Sequence, residues 1–298
     1  MSEHQANGKT IFLTGATGFL GKVVLEELIR RRYELNVGKV IVLIRPSKQS
    51  TVGIATREAD LASRFYGEVA TSKCFAKLPS DWTRHVQPVY GDLGQAHCGL
   101  DASTYESISR ETTHIIHCAA CVQFDLSLSE SLDINLKGTL AILQLARMCL
   151  KLERFVYTST AYVTPHKGNN PIHEVLAPLG PWISAQEILD TLYSGSINET
   201  ELLRQTGHPN TYTLSKCITE HIVLKSCDSI PLIIVRPSII TAALERPYPA
   251  WSDSASAGVG LVLGVQDGGV SALTGNPTAF VNLVPVDFVA DFLVDEAF

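Results

Sequence analysis

The run Ile11-Phe12-Leu13-Thr14-Gly15-Ala16-Thr17-Gly18-Phe19-Leu20-Gly21 decides how this chain folds. It opens as a short apolar stretch and closes in three glycines spaced by three. Val23, Val24, Leu25, Leu28 and Ile29 follow on roughly one helical face. Strand, glycine turn and helix, in that order, are the setting a dinucleotide phosphate site needs. The first glycine permits a sharp turn, the second a close approach of backbone to pyrophosphate, the third a tight packing of helix on strand. The helix N-terminus then offers unpaired N–H groups and a positive dipole end. Gly15, Thr17, Gly18, Phe19, Leu20 and Gly21 are the expected contacts on the phosphate side. The spacing is GxxGxxG rather than GxGxxG. An ordinary strand-to-helix turn is the plain alternative.

Outward from this run, strands and helices alternate. Lys9 to Leu13 reads as the first strand, Gly21 to Arg32 as a helix and Lys39 to Ile44 as a second buried strand, a βαβ unit. Residues 50–84 read as loosely patterned helix carrying little chemistry. His85 to Tyr90, Thr113 to Cys118 and Arg154 to Thr158 supply three more strands, with a long helix from Asp133 to Lys151. This alternation predicts a Rossmann-type, doubly wound parallel α/β sheet. Ligands of such sheets bind at the carboxyl ends of the strands. Directly after the second strand stands Arg45-Pro46-Ser47-Lys48, with no carboxylate for a ribose 2′-hydroxyl. Arg45 and Lys48 instead offer positive charge to a 2′-phosphate, which selects NADPH; the bland alternative is a solvated loop. Asp92 and Leu93 follow the third strand, where Asp92 suits the adenine amino group or a plain turn. Ala119 and Ala120 follow the fourth, in a small apolar loop suited to a nicotinamide ribose.

The 298 residues are 45% hydrophobic and 18% charged, enough for a full core and too apolar for disorder. A net charge of −6 with no long basic run argues against nucleic acid. The first nine residues hold no apolar segment of a secretory signal, and no apolar run reaches the roughly 18–20 residues of a membrane span. Seven cysteines at irregular spacing read as reduced thiols. The expected location is cytoplasmic or peripheral to an organelle. The cluster His114 to Cys121 looks like a metal-ligand run on paper. A strand points successive side chains to opposite faces, so no metal is expected there.

Two further segments carry chemistry. Ser159-Thr160-Ala161-Tyr162 places hydroxyls at the end of the fifth strand. Asn210-Thr211-Tyr212-Thr213-Leu214-Ser215-Lys216 opens a helix on which Tyr212 and Lys216, four apart, share a face. A free tyrosine, with a pKa near 10, transfers protons poorly at neutral pH; an adjacent ammonium is expected to lower that value. Thr160, Tyr212 and Lys216 together suit proton transfer beside a hydride carrier.

The glycine turn, His117-Cys118-Ala119-Ala120 and Tyr212-x-x-x-Lys216 together resemble an extended short-chain dehydrogenase/reductase. The finer resemblance is to the fatty acyl-CoA reductases and their relatives, the thioester reductase domains. It rests on Leu43-Ile44-Arg45-Pro46, Gly91-Asp92-Leu93, the run Ala119-Ala120-Cys121-Val122-Gln123-Phe124-Asp125, Asn135 to Thr139, Ser159 to Val163, Pro209 to Tyr212, Val235 to Ile239 and Val284 to Asp287. The resemblance implies Thr160, Tyr212 and Lys216 as catalytic trio, with Tyr212 and Lys216 also touching the cofactor. It implies Thr160 rather than Ser159 as the hydroxyl, and Pro237 and Ser238 along the nicotinamide. It also implies one domain over 1–298, with a cofactor core of about 1–162 plus 208–240 and a substrate lobe of about 163–207 and 241–298.

The implied activity is NADPH-dependent reduction of a fatty acyl-CoA, or of an acyl-carrier thioester, to aldehyde or alcohol. Another extended short-chain reductase or epimerase is the enzymatic alternative, and an NADPH-binding sensor module the non-enzymatic one. Tyr212 lies 52 positions beyond Thr160, a long gap typical of these reductases. Within it a helix is expected from Ser184 to Tyr193. Trp182, Ile183, Leu189, Leu192 and Tyr193 are candidates either for acyl contact or for the segment's own core. Two features depart from the family. Its usual Pro-Gly-Trp is here Pro249-Ala250-Trp251, and its usual helical C-terminal domain is not reached before Phe298. That domain is either absent or belongs to a longer chain.

Overall fold

The structure, a computed structural model, describes residues 8–47, 54–165, 171–182, 184–255, 257–272, 274–276 and 281–298. Its elements in chain order are β1 (Lys9–Thr14), α1 (Phe19–Arg30), β2 (Val37–Ile44), α2 (Ile54–Ala62), β3 (Val86–Tyr90), α3 (Ala102–Glu111), β4 (His114–His117), α4 (Leu128–Leu132), α5 (Gly138–Met148) and β5 (Arg154–Thr158). There follow α6 (Ala185–Tyr193), α7 (Glu199–Thr206), α8 (Thr211–Ser226), β6 (Leu232–Val235), β7 (Ile239–Thr241), α9 (Ala257–Gln266), β8 (Leu283–Pro285) and α10 (Val286–Asp295).

Six strands form one parallel sheet in the order β3-β2-β1-β4-β5-β6. Their apolar runs are buried on both faces, as helices on both sides of a sheet require. Ile11 and Leu13 of β1, with Val40, Val42 and Ile44 of β2, pack toward α1 and α10. Phe12, Ile41, Leu43, Ile115, Phe155 and Tyr157 point the other way, toward α3 and α5. The period of two along each strand thus builds two cores from one sheet. The strand order reverses direction between β1 and β4. That switch point opens a crevice at the carboxyl ends of these strands, where the glycine turn lies.

The helix expected from Asp133 begins earlier, at Leu128. Ser127 and Glu130 form a reciprocal capping box there. The helix then widens into a π-helical turn over Asp133–Lys137 before continuing as α5. It ends at Met148 rather than Lys151, because Cys149 is extended. Helix α1 starts two residues before the expected Gly21. Residues between β5 and α8 contribute α6 and α7, capped by Ser184 and Asn198. They build a third core with Leu214, Cys217 and Ile218 of α8. Trp182, Leu189 and Leu192 pack in or against this core, and Tyr193 is exposed. Ile183 lies outside the described residues.

A second, two-stranded parallel sheet joins β7 and β8 and leads into α10. Asp287, fully buried at the start of α10, accepts hydrogen bonds from the backbone N–H groups of Leu244, Glu245 and Arg246 at 2.9, 2.9 and 3.0 Å. It thereby ties the segment after β7 to α10. All seven cysteines are free thiols. Among the described residues no helix is long and apolar enough to cross a membrane.

Candidate active site

The glycine turn is shaped by backbone packing. Gly15 adopts φ +83°, and a Cβ there would stand 2.8 Å from the backbone N of Ala119. At Gly21 a Cβ would lie 2.0 Å from the Gly15 carbonyl oxygen. Only glycine permits both the turn and the approach of α1 to it. Gly18 is the N-cap of α1 and provides no side-chain cap, so the first-turn N–H groups have no intrahelical partner. Such a cradle fits the pyrophosphate of a nicotinamide dinucleotide. Thr17 and Leu20 are partly buried in the same turn. Phe19 turns away and stacks on Trp251, with ring centres 5.4 Å apart.

Arg45 is exposed at the carboxyl end of β2. The backbone after it is pinned by the region expected to carry little chemistry. Arg64 donates to the carbonyls of Arg45 and Pro46, and Asp60 accepts the Ser47 N–H at 3.0 Å. Lys48 lies outside the described residues. Arg57 of α2 lies over the ring of Tyr90, 5.7 Å from its centroid, at the end of neighbouring β3. Asp92 turns its carboxylate onto its own loop, accepting the Gly94 N–H at 3.0 Å. Leu93 packs against Gly138 at the start of α5.

The loop after β4 is held from beneath. Thr14 Oγ1 accepts the Ala119 N–H at 3.2 Å and bonds His117 Nδ1 at 2.7 Å. His117 Nε2 meets Thr139 Oγ1 at 3.1 Å, and Thr139 donates onward to the Asn135 carbonyl. His117 is therefore a neutral imidazole protonated on Nε2. Full burial, helped by the nearby Lys216 charge, pulls its pKa down to about 3. His114 bonds Thr113 and stacks on Phe298 instead. His114 and His117 thus serve separate packing roles.

Thr160, Tyr212 and Lys216 come together at the carboxyl end of β5. Thr160 is buried, its Oγ1 accepting the Tyr162 N–H at 3.3 Å and lying 3.5 Å from the Pro237 carbonyl. The Ala161 N–H also donates to that carbonyl at 2.9 Å, so the turn carrying Pro237 and Ser238 is clamped to the hydroxyl's own loop. Ser159 differs: its Oγ is buried with no hydrogen-bond partner among the described residues. Asn210 caps α8 by accepting the Thr213 N–H at 2.9 Å, which sets Tyr212 and Lys216 in the first two turns. Burial pushes the Tyr212 phenol up to about 12, and a hydrogen bond with Thr160 works against that rise.

The expected lowering of the Tyr212 pKa by Lys216 is not what the geometry gives. Lys216 Nζ donates to the Thr158 carbonyl at 2.8 Å and to the Tyr157 hydroxyl at 3.2 Å. Burial lowers its own pKa to about 8.

Asn135 was not singled out for a role by sequence reasoning. Its Oδ1 accepts the Cys121 N–H at 2.9 Å. Its Nδ2 donates to the Cys121 carbonyl at 3.2 Å and to Ser215 Oγ at 3.1 Å. One amide thus fastens the β4 loop to α8 beside Lys216. Asn135 sits in the π-helical turn, a distortion frequent at functional sites. Asparagine inside a long helix, where it is a poor helix former, was the available signal. Beyond this anchor Phe124 lies against Tyr212, ring centres 5.7 Å apart, and is largely exposed.

This six-stranded sheet, glycine turn and Thr-Tyr-Lys cluster define a dinucleotide-binding fold of the short-chain reductase class. Residues 13–293 match the Male sterility protein family of NAD-binding domains, and the chain belongs to that family. Mouse fatty acyl-CoA reductase 2 is 31% identical over 294 residues, covering 97% of this chain and 54% of that protein. Mouse fatty acyl-CoA reductase 1 is 32% identical over 290 residues, covering 95% and 53%. The chain thus spans about half the length of these curated relatives. Among solved structures, the terminal R domain of the myxalamid PKS-NRPS biosynthetic pathway superposes with a TM-score of 0.72 at 26% identity. That match covers 98% of this chain and 63% of the other. A nicotinamide cofactor follows from the family.

Proposed function

We propose that this chain reduces an acyl thioester with NADPH, and that its substrate is a fatty acyl-CoA. The observation that carries the reading is the convergence of Thr160, Tyr212 and Lys216 beside the glycine turn, in a chain of this family. NADPH, when bound, supplies the hydride. Gly15, Thr17, Gly18 and the first turn of α1 hold its pyrophosphate, and Ala119 and Ala120 line its nicotinamide ribose. Arg45 meets the 2′-phosphate, in a loop that Arg64 and Asp60 hold in shape. Thr160 and Tyr212 grip the thioester carbonyl oxygen as it gains negative charge. With its pKa at about 12, Tyr212 carries its proton at neutral pH and releases it to that oxygen. Lys216 keeps a positive charge in the layer beneath and binds the ribose hydroxyls. Loss of the thiol leaves an aldehyde, and a second reduction in the same site gives the alcohol.

The division of labour between a cofactor core and a lobe from 163–207 and 241–298 belongs to this proposal. A second reading, a carrier-bound thioester, draws on the likeness to the myxalamid terminal R domain. Incubation with NADPH and matched acyl-CoA and acyl-carrier thioesters, followed by mass spectrometry of products, tests both. Aldehyde or alcohol from acyl-CoA is expected. Product from carrier thioesters alone would select the second reading, and consumption of neither would refute both.

A further inference from the structure

Glu220 and Arg236 lie behind the proposed trio and have no part in the chemistry above. Glu220 stands one helical turn beyond Lys216 on α8, so both side chains occupy one face. It is 1% exposed, and Lys216 is 2% exposed. Arg236 grips the carboxylate with two parallel bonds, Nε to Oε1 at 2.9 Å and Nη2 to Oε2 at 2.6 Å. Its remaining Nη1 donates to the Val175 carbonyl at 3.0 Å, in the segment between β5 and α6. One residue further on, Pro237 begins the turn clamped to Thr160.

We propose that Glu220 is a positioning residue whose carboxylate keeps the buried Lys216 ammonium charged, and that Arg236 is the clamp that fixes this carboxylate and ties it to the segment carrying Val175. The proposal rests on the reading of Lys216 as part of the proton-transfer site.

A lysine in a dry layer tends to lose its proton, because burial penalises the charged form. The two groups that accept from Nζ, the Thr158 carbonyl and the Tyr157 hydroxyl, are neutral. The titratable groups facing Lys216 come from three elements. From β4 and its loop come His117, held neutral far below its usual value, and Cys118, a thiol pushed up to about 11 by burial. From β5 comes Tyr157, a phenol that burial pushes far up. Along α8 come Tyr212, pushed up to about 12, and Glu220. In this set Glu220 is the one carboxylate, and it is held by the Arg236 guanidinium. It opposes the desolvation that pulls Lys216 down to about 8. The bidentate fork holds the carboxylate still, so its field on Lys216 is fixed by the fold.

The test follows Lys216 itself. In protein labelled with ¹³C-lysine, the Lys216 Cε resonance is identified by its absence in Lys216→Met and titrated by NMR. Glu220→Gln should lower the titration midpoint by about one pH unit, and Glu220→Asp should restore most of it. If Glu220→Gln does not fold, the neutral pair Glu220→Gln with Arg236→Met avoids a stranded charge and predicts a drop in the same direction, smaller because the Arg236 cation is lost as well. An unchanged midpoint in a folded variant overturns the proposal, since a merely structural glutamate would not move it. In parallel, the basic limb of the kcat/KM profile for palmitoyl-CoA with NADPH should move to lower pH by the same amount. A shifted titration without that movement would sustain the effect of Glu220 on Lys216 and overturn the catalytic reading of Lys216.

Discussion

On the cofactor side of the crevice, Gly15 and Thr14 meet the β4 loop at backbone distance, and His117, Thr139 and Asn135 brace it from below. On the other side, Val122 and Phe124 lie 60% and 64% exposed. One wall is close-packed backbone braced by hydrogen bonds from beneath. The other is apolar side chain open to solvent. A dinucleotide has fixed phosphates and riboses, and a rigid cradle recognises them with little ordering cost. An acyl chain offers only apolar surface, and loosely placed apolar side chains suffice to bind it. Under the proposed function, the difference makes the cofactor side intolerant of change and the opposite side tunable.

Five substitutions test that contrast. Tyr212→Phe should reduce turnover by about 10²–10⁴ while NADPH binding, measured by fluorescence titration, stays within about twofold. Equal loss of both would mean that the two walls are not separate. Asp287→Ala strands three backbone N–H groups and should cost about 3 kcal/mol in denaturant unfolding. Burial alone would raise the Asp287 pKa, but these N–H groups outweigh it and hold the carboxyl below its usual value. A depressed acid stabilises the fold above its unfolded pKa, near 4. Wild type should therefore lose stability as pH falls below about 4, and the variant should lose less over that window.

Arg45→Ala should weaken NADPH by roughly thirtyfold and NADH by no more than about twofold, because a charge-assisted contact to phosphate is worth about 2 kcal/mol. Similar losses for both would remove the 2′-phosphate assignment. Phe124→Ala should lower kcat/KM about tenfold for long acyl-CoA and little for short, the value of one apolar contact of about 1.5 kcal/mol. A uniform drop would place Phe124 in support of Tyr212 alone. Smallest is Ala250→Gly. Ala250 sits at φ +62°, a conformation that disfavours a Cβ, where the family usually has glycine. The change should stabilise the protein by about 1 kcal/mol, read as a rise in Tm.

The sheet and the glycine turn were legible because period-two burial and backbone close approach leave marks on residue type. Glycine at 15 and 21 is forced by contacts that no Cβ could share. The span Arg154–Thr158 matches its expected bounds for the same reason, as each residue there has a fixed face. Tyr212 and Lys216 were legible because helical spacing places them on one face. Glu220 was not, since its partner lies 16 positions away and nothing local announces it, and Asn135, whose partner lies 14 positions away, was marked only by being a poor helix former inside a helix. The pKa of Tyr212 was misjudged for a related reason. Sequence spacing brings Lys216 to the right face, but the tertiary packing of β5 draws its ammonium to Tyr157 and Thr158. Trp182, Leu189 and Leu192 suit either acyl contact or core by sequence, and only the tertiary packing of α6 and the segment before it places Leu189 in the third core and Trp182 and Leu192 against it.

Reduction of a thioester in this crevice, as proposed, consumes NADPH and frees a thiol. Its most direct test is thiol release from palmitoyl-CoA in the presence of NADPH, followed with a thiol reagent while NADPH absorbance is read in the same cuvette. Free coenzyme A is expected, with one NADPH oxidised per thiol if aldehyde leaves or two if the alcohol forms, and neither signal in Tyr212→Phe. NADPH binding without thiol release from any acyl thioester would contradict it.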